Sequence, residues 1–200
     1  MSELHDQFGS IDIYLFDQLL RGRITPGMRV LDAGCGTGRN LTYFLREGYD
    51  VFALDADPLA LDYVRGLAPH LPPDQFRAEP IESTTFPPAI ADVVISSAVL
   101  HFARDTEHFE AMLQGMWRLL RRGGLFFCRL ASSIGMADRM RAVGGGRYRL
   151  PDGSERYLVD AAQLAAATAR LGGTLVDPLK TTVVQDERCM TTWVVRRGEV

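Results

Sequence analysis

The stretch VLDAGCGTGRN, residues 30–40, leaves this chain few folds to choose from. Val30 and Leu31 suit a buried strand, Asp32 follows them, and Gly34, Gly36 and Gly38 come at every second position. LTYFL then reads as the first turns of a helix over 39–47, closed by Gly48. Strand, glycine turn and helix in that order form a cradle for a cofactor. The glycines let the backbone take positive φ and let a ligand lie against bare main chain. A helix start offers unpaired N–H groups to a carboxylate or phosphate. The plainer alternative is an ordinary strand–helix turn.

Spacing narrows the ligand. A dinucleotide fingerprint wants its third glycine or alanine three positions after the second, and that position here is Arg39. An acid directly before the turn repels a pyrophosphate and suits a ligand carrying an ammonium and a sulfonium. A second strand over 50–54 ends at Asp55, in reach of a ribose diol by its distance from the turn. Asp57 competes for that role, but Pro58 follows it, so Asp57 reads as the N-cap of a helix over 58–68.

Asp-Ala-Gly-Cys-Gly-Thr-Gly behind Val30-Leu31 resembles motif I of class I S-adenosylmethionine-dependent methyltransferases. The resemblance runs from Val30 through a fifth strand at 125–130 and includes Gly123-Gly124 before it. It implies an α/β fold: a doubly wound, mostly parallel seven-stranded sheet, helices on both faces and a C-terminal antiparallel hairpin, as one domain over 1–200. It implies S-adenosylmethionine as cofactor and S-adenosylhomocysteine as product. Asp32, Ala33, Gly34, Cys35, Gly36, Gly38 and Asn40 would form the cradle, with Asp55 and Ala56 at the ribose. After a third strand, Glu79 would accept from the adenine amino group beside Pro80 and Ile81, with Ser97 at the end of the fourth strand. Glu79 stands where the family more often has Asp; otherwise it is a solvated acid at a strand end. The motif's Gly-Arg-Asn ending and the CMTTWVVRR strand are also similar, loosely, to small bacterial methyltransferases of the tellurite-resistance group.

The remaining segments follow from patterning. A helix over about 8–23 is a packing helix or, within 1–25, a cofactor lid with Phe8 and Tyr14 as candidates. ADVVISSAVLHF, 91–102, is a continuous apolar run that suits a sheet covered on both faces. Ser96, Ser97 and His101 fall at its carboxyl end, where ligands bind in open α/β sheets. His101 is a candidate base or substrate-orienting group, or a ring tucked against the sheet edge. Thr106 reads as an N-cap before an amphipathic helix. Residues 131–157 form an irregular, arginine-rich insert with a Pro151-Asp152-Gly153 turn. The resemblance puts that insert on the substrate side, where Arg147 and Arg149, with Tyr14 and Arg188, are acceptor candidates; otherwise it is a solvated loop. A helix over 159–171 and two strands over 175–185 and 189–196 close the chain.

Composition sets the partners. The chain is 46% hydrophobic and 24% charged, which is globular. A net charge of -3 and the lack of an Asn-Pro-Pro-Tyr signature point away from nucleic acid and toward a small-molecule acceptor. Without an apolar run of membrane length or a leader-like N-terminus, and with three scattered cysteines, the expected place is the cytoplasm, as monomer or homodimer with no membrane partner. No metal-ligand spacing occurs. In-line methyl transfer needs alignment more than a catalytic dyad. The competing functions are a non-catalytic S-adenosylmethionine-binding regulator or partner subunit and, against the glycine spacing, a nicotinamide oxidoreductase.

Overall fold

The structure is a computed structural model and describes residues 3–199. Its main sheet holds β1 (Arg29–Ala33), β2 (Asp50–Asp55), β3 (Phe76–Ala78), β4 (Ala91–Ser97), β5 (Leu120–Ala131), β9 (Gly173–Leu175), β10 (Lys180–Val184) and β11 (Arg188–Arg197). The order is β10-β11-β5-β4-β1-β2-β3, with β9 pairing on β11 as well. Strands β1 to β5 pair in parallel, and β11 runs antiparallel to β5, β9 and β10. The expected seven strands and final hairpin are present, and β9 adds a short eighth. Strand order reverses between β1 and β4, which opens a crevice at their carboxyl ends.

The apolar strands are long runs because both faces are covered. Leu31, Ala33, Val94 and Phe126 point to one face, packed by α5 (Thr106–Leu119) and α6 (Ala161–Arg170). Val30, Val93, Ile95 and Phe127 point to the other, under α2 (Ile13–Leu20), α3 (Thr42–Arg46) and α4 (Pro58–Leu67). No helix among the described residues is long and apolar enough to cross a membrane.

Three expectations need correction. The N-terminal helix is two, α1 (Glu3–Phe8) and α2, separated by Gly9 at φ +60° and by Asp12, which caps α2. The helix after the glycine turn covers only Thr42–Arg46, because a turn with Leu41 N–H bonded to the Gly38 carbonyl occupies the preceding residues. The N-cap of α5 is Asp105 rather than Thr106: its carboxylate accepts from the His108 N–H at 2.8 Å. The insert is ordered as well. Strands β6 (Arg141–Gly144), β7 (Arg147–Arg149) and β8 (Glu155–Tyr157) form an antiparallel meander, turned at 151–154. Leu150 and Leu158 pin it to Ala131 at the end of β5.

Candidate functional site

A cleft of about 450 Å³ lies at the carboxyl ends of β1 and β2, walled by Gly34, Gly36, Asp55, Ile81, Val99 and Met112. The glycines serve different ends. At Gly34, φ +83°, an added Cβ would sit 2.5 Å from Val99 Cγ2, so the bare main chain admits the post-β4 loop. At Gly36, nothing lies within 4 Å of that position, and its side faces open space. Asp55 Oδ2 accepts from the Gly36 N–H at 2.8 Å, and Oδ1 accepts from the Asp57 N–H at 2.9 Å. The acid is thereby fixed to the glycine turn, with further lone pairs for a ligand. Asp57 instead accepts from the Leu59 N–H at 3.0 Å and caps α4.

Asp32 stands behind this turn. It is 1% exposed, and neither carboxylate oxygen has a hydrogen-bond partner among the described residues. Burial pushes its carboxyl up to about 7; Arg39 opposes the rise and the Asp55 charge adds to it. A bare buried carboxylate is costly until a cation or donor meets it. An orphaned acid, a second acid fixed to the turn with lone pairs to spare, and an open glycine face together fit S-adenosylmethionine, with its ammonium, ribose and flat base.

At Ala98 this cleft meets a second, of about 330 Å³. Ala98 itself is held at φ +65°, and its N–H donates to the Arg129 carbonyl at 2.7 Å. The second cleft is lined by His101, Arg129, Asp152, Arg156 and Arg188 among others. His101 Nδ1 accepts from the Ala131 N–H at 3.2 Å. Burial, with the nearby Arg156, pushes the ring down to about 4. At neutral pH the ring is therefore uncharged with its proton on Nε2, a donor rather than a base. Phe102 lines the first cleft, and the Arg156 guanidinium lies 5.0 Å over its ring.

Known proteins resemble this chain in sequence and in fold. The methyltransferase-domain family model matches residues 31–128. A ubiquinone biosynthesis O-methyltransferase of Methylocella silvestris is 30% identical over 180 residues, which is 81% of this chain and 68% of that protein. The chain belongs to the class I S-adenosylmethionine-dependent methyltransferase superfamily. A malonyl-[acyl-carrier protein] O-methyltransferase of Serratia marcescens is 34% identical over 131 residues, 64% of this chain and 49% of that protein. Among the first curated relatives, the chain spans about half of their length, 47%, 49% and 42%. A solved Burkholderia thailandensis 1,6-didemethyltoxoflavin-N1-methyltransferase, holding 1,6-didemethyltoxoflavin and S-adenosylhomocysteine, superposes with a TM-score of 0.69 at 20% identity. That match covers 98% of this chain and 81% of the other, and it is a likeness of fold. These relatives do not bear on the looser tellurite-resistance likeness.

Within this methyltransferase framework the expected residues divide. Gly34, Gly36, Asp55, Ala56, Pro80 and Ile81 line the first cleft, with Asp32 behind it. Ala33 and Cys35 are buried in the cores on opposite faces of the sheet, and burial raises the Cys35 thiol far out of reach of ionisation. Gly38 packs its bare face on Val64 of α4. Asn40 and Ser97 turn into a network around Asp12, 3% exposed. The Asp12 N–H donates to Asn40 Oδ1 at 3.0 Å, while its Oδ2 accepts from Ser97 Oγ at 3.3 Å and Arg129 Nη1 at 3.2 Å.

Glu79 does not face the cleft. Its carboxylate accepts from the Thr84 and Thr85 hydroxyls at 2.9 and 2.7 Å and from the Thr85 N–H at 2.7 Å, bracing its own loop. The acid on the cleft wall there is Glu82, 3.1 Å from His108 Nε2. Tyr14 bonds Thr182 Oγ1 at 2.9 Å, lies beside Arg129 and Lys180, and lines neither cleft. Phe8 stacks on Tyr43 of α3 at 5.0 Å and lines neither cleft. Arg147 donates to the Ala103 carbonyl at 3.3 Å, and Arg149 forks onto Glu155. Arg147 ties the meander to the loop after β4 while Arg149 braces β7 on β8 within it, and of the expected acceptor residues Arg188 alone lines the second cleft. Sequence reading missed Asp12, Glu82 and Arg129. A cation inside the apolar strand LFFCRL is the signal that could have found Arg129.

Proposed function

We propose that this protein transfers a methyl group from S-adenosylmethionine to a small molecule held in the cleft beyond Ala98. The unpaired carboxylate of Asp32 behind the glycine turn carries the reading, since it gives the turn a place for an ammonium and none for a pyrophosphate. The cofactor supplies an activated methyl carbon whose bond to sulfur breaks as the acceptor's bond to it forms, leaving S-adenosylhomocysteine. Asp55 holds the ribose hydroxyls, Asp32 meets the ammonium, and Ile81 and Glu82 flank the base. Phe102 and Ala98 border the junction between clefts and limit water there. His101 donates from Nε2 to orient an acceptor oxygen, and the acceptor's proton departs to solvent. Three buried, unbridged thiols support a cytoplasmic setting.

One observation favours a second reading, a cofactor-binding regulator: His101 is locked as a donor, so the second cleft offers no histidine base. Calorimetry with S-adenosylhomocysteine tests both readings. Micromolar binding, weakened at least about tenfold by Asp55→Ala through the lost diol contacts, is expected. No binding at millimolar ligand sinks both. Methyl release on a panel of phenols, thiols and amines then separates them, turnover on any one defeating the regulator.

A further inference from the structure

We propose that the second cleft selects acceptors carrying an anionic oxygen group, a carboxylate or phosphate, gripped by Arg156 and Arg188 above Arg129. The assignment of this ligand as the methyl acceptor rests on the function proposed above; the anion grip does not.

The three arginines come from separate elements, β5, β8 and β11, and meet around one concavity only because the meander folds back over the sheet. Arg129 is partly neutralised by Asp12 through Nη1, yet its Nε is buried without a partner. Arg188 is held by its backbone in the β10–β11 ladder opposite Val184, and among the described residues its guanidinium makes no hydrogen bond or ion pair, acting on Asp152 only through its charge. Arg156 spends Nη1 on the Glu155 carbonyl at 2.8 Å, and its face on Phe102. Against these three cations the lining has one acid, Asp152. That carboxylate is already engaged, accepting from Ser154 N–H at 2.9 Å and Ser154 Oγ at 2.6 Å. Those bonds, and then the charges of Arg156 and Arg188, hold it below the usual carboxylate range, so both guanidiniums are felt at this spot. Neutral His101 adds a donor without adding charge. A concave site with surplus guanidinium forks and an unpaired buried N–H matches an oxyanion, which takes paired, charge-assisted bonds.

The test titrates the full chain with benzoate, phenyl phosphate and neutral benzamide, with and without S-adenosylhomocysteine. Benzoate or phenyl phosphate is expected to bind at millimolar concentration or below, and benzamide at least about tenfold more weakly. Arg156→Gln and Arg188→Gln each cost the anion about tenfold, while S-adenosylhomocysteine affinity, which also reports folding, stays within about twofold. Asp152→Asn removes the competing charge, keeps the acceptor for Ser154, and tightens the anion. The relative strength of the two anions tells carboxylate from phosphate. Equal binding of benzoate and benzamide, no anion binding at all, or indifference to both arginine substitutions overturns the inference. If S-adenosylhomocysteine fails to bind while the anion does, the methyltransferase reading falls and the anion site stands; the reverse result removes the anion site alone.

Discussion

Asp32 is held in a state that costs the ligand-free protein stability. Its carboxyl is raised from 3.8 to about 7 in the fold, so the folded state keeps a proton that the unfolded chain releases over that interval. Stability of the ligand-free protein therefore falls as pH rises from about 4 to about 7 and is level above it. Asp32→Asn removes the penalty. Thermal unfolding at pH 8 is expected to show that variant more stable by up to about 4 kcal/mol, and calorimetry to show it binding S-adenosylhomocysteine more weakly. An unchanged affinity would place the ligand's ammonium elsewhere. Binding has a proton count too. With the ammonium placed at Asp32 as proposed, binding at pH 6 is expected to ionise that carboxyl and release about one proton per complex, and none from this group at pH 8 or above. Repeating the calorimetry in buffers of different ionisation heat reads that count directly. Gly34 carries a second residue-scale expectation. Gly34→Ala drives a methyl into Val99 at positive φ, whereas Gly36→Ala meets no neighbour. Only the first should distort the post-β4 loop, and Val99→Ala should relieve the clash but not the backbone strain.

Among the elements, α2 depends on Asp12 for more than its cap. The same carboxylate takes Tyr14 N–H, Ser97 and Arg129, so the N-terminal segment is latched to the ends of β4 and β5. Asp12→Ala is expected to cost about 3 kcal/mol, a cap plus a buried charge left without its partner, and to expose the chain before β1 to limited proteolysis. Asp12→Asn keeps the cap and should lose less. A variant as protease-resistant as the parent would show α2 held by its apolar face alone. This latch also marks where the sequence stops being legible. The strands β1, β2, β4 and β5 and the helices α4, α5 and α6 announce themselves through apolar runs, helical spacing and capping acids, all local signals. The glycine turn and Asp55 were readable because their chemistry depends on spacing along the chain. Asp12 partners residues 28 to 117 positions away, and nothing near it in sequence records that. The meander was opaque for another reason: RAVG, RYR and ERY are too short and too charged to alternate like strands. Glu79 and Glu82 are two acids three positions apart, and only the bonds from Thr84 and Thr85 decide which one turns away.

Across the whole molecule, two buried groups on neighbouring clefts pull stability in opposite directions with pH. His101 is lowered from 6.5 to about 4, so its neutral form is favoured in the fold. Its contribution is complete above about pH 6.5 and drains away as pH falls through about 4. Asp32 does the reverse over much of the same interval, and in the ligand-free protein the two largely offset each other. Cofactor removes the offset, because an ionised Asp32 paired with an ammonium no longer gains from acid. The complex is therefore expected to be more acid-sensitive than the ligand-free protein between pH 6.5 and 4. His101→Asn isolates the histidine share: its side-chain oxygen can replace Nδ1 as acceptor for the Ala131 N–H, and it does not titrate. Measured with S-adenosylhomocysteine saturating, the parent should lose up to about 3 kcal/mol more than this variant between pH 6.5 and 4, while the two run parallel above pH 7. If the difference between them stays constant through that window, the ring is not held neutral by burial. His101 would then be free to take a proton in the second cleft, which returns a base to the acceptor site.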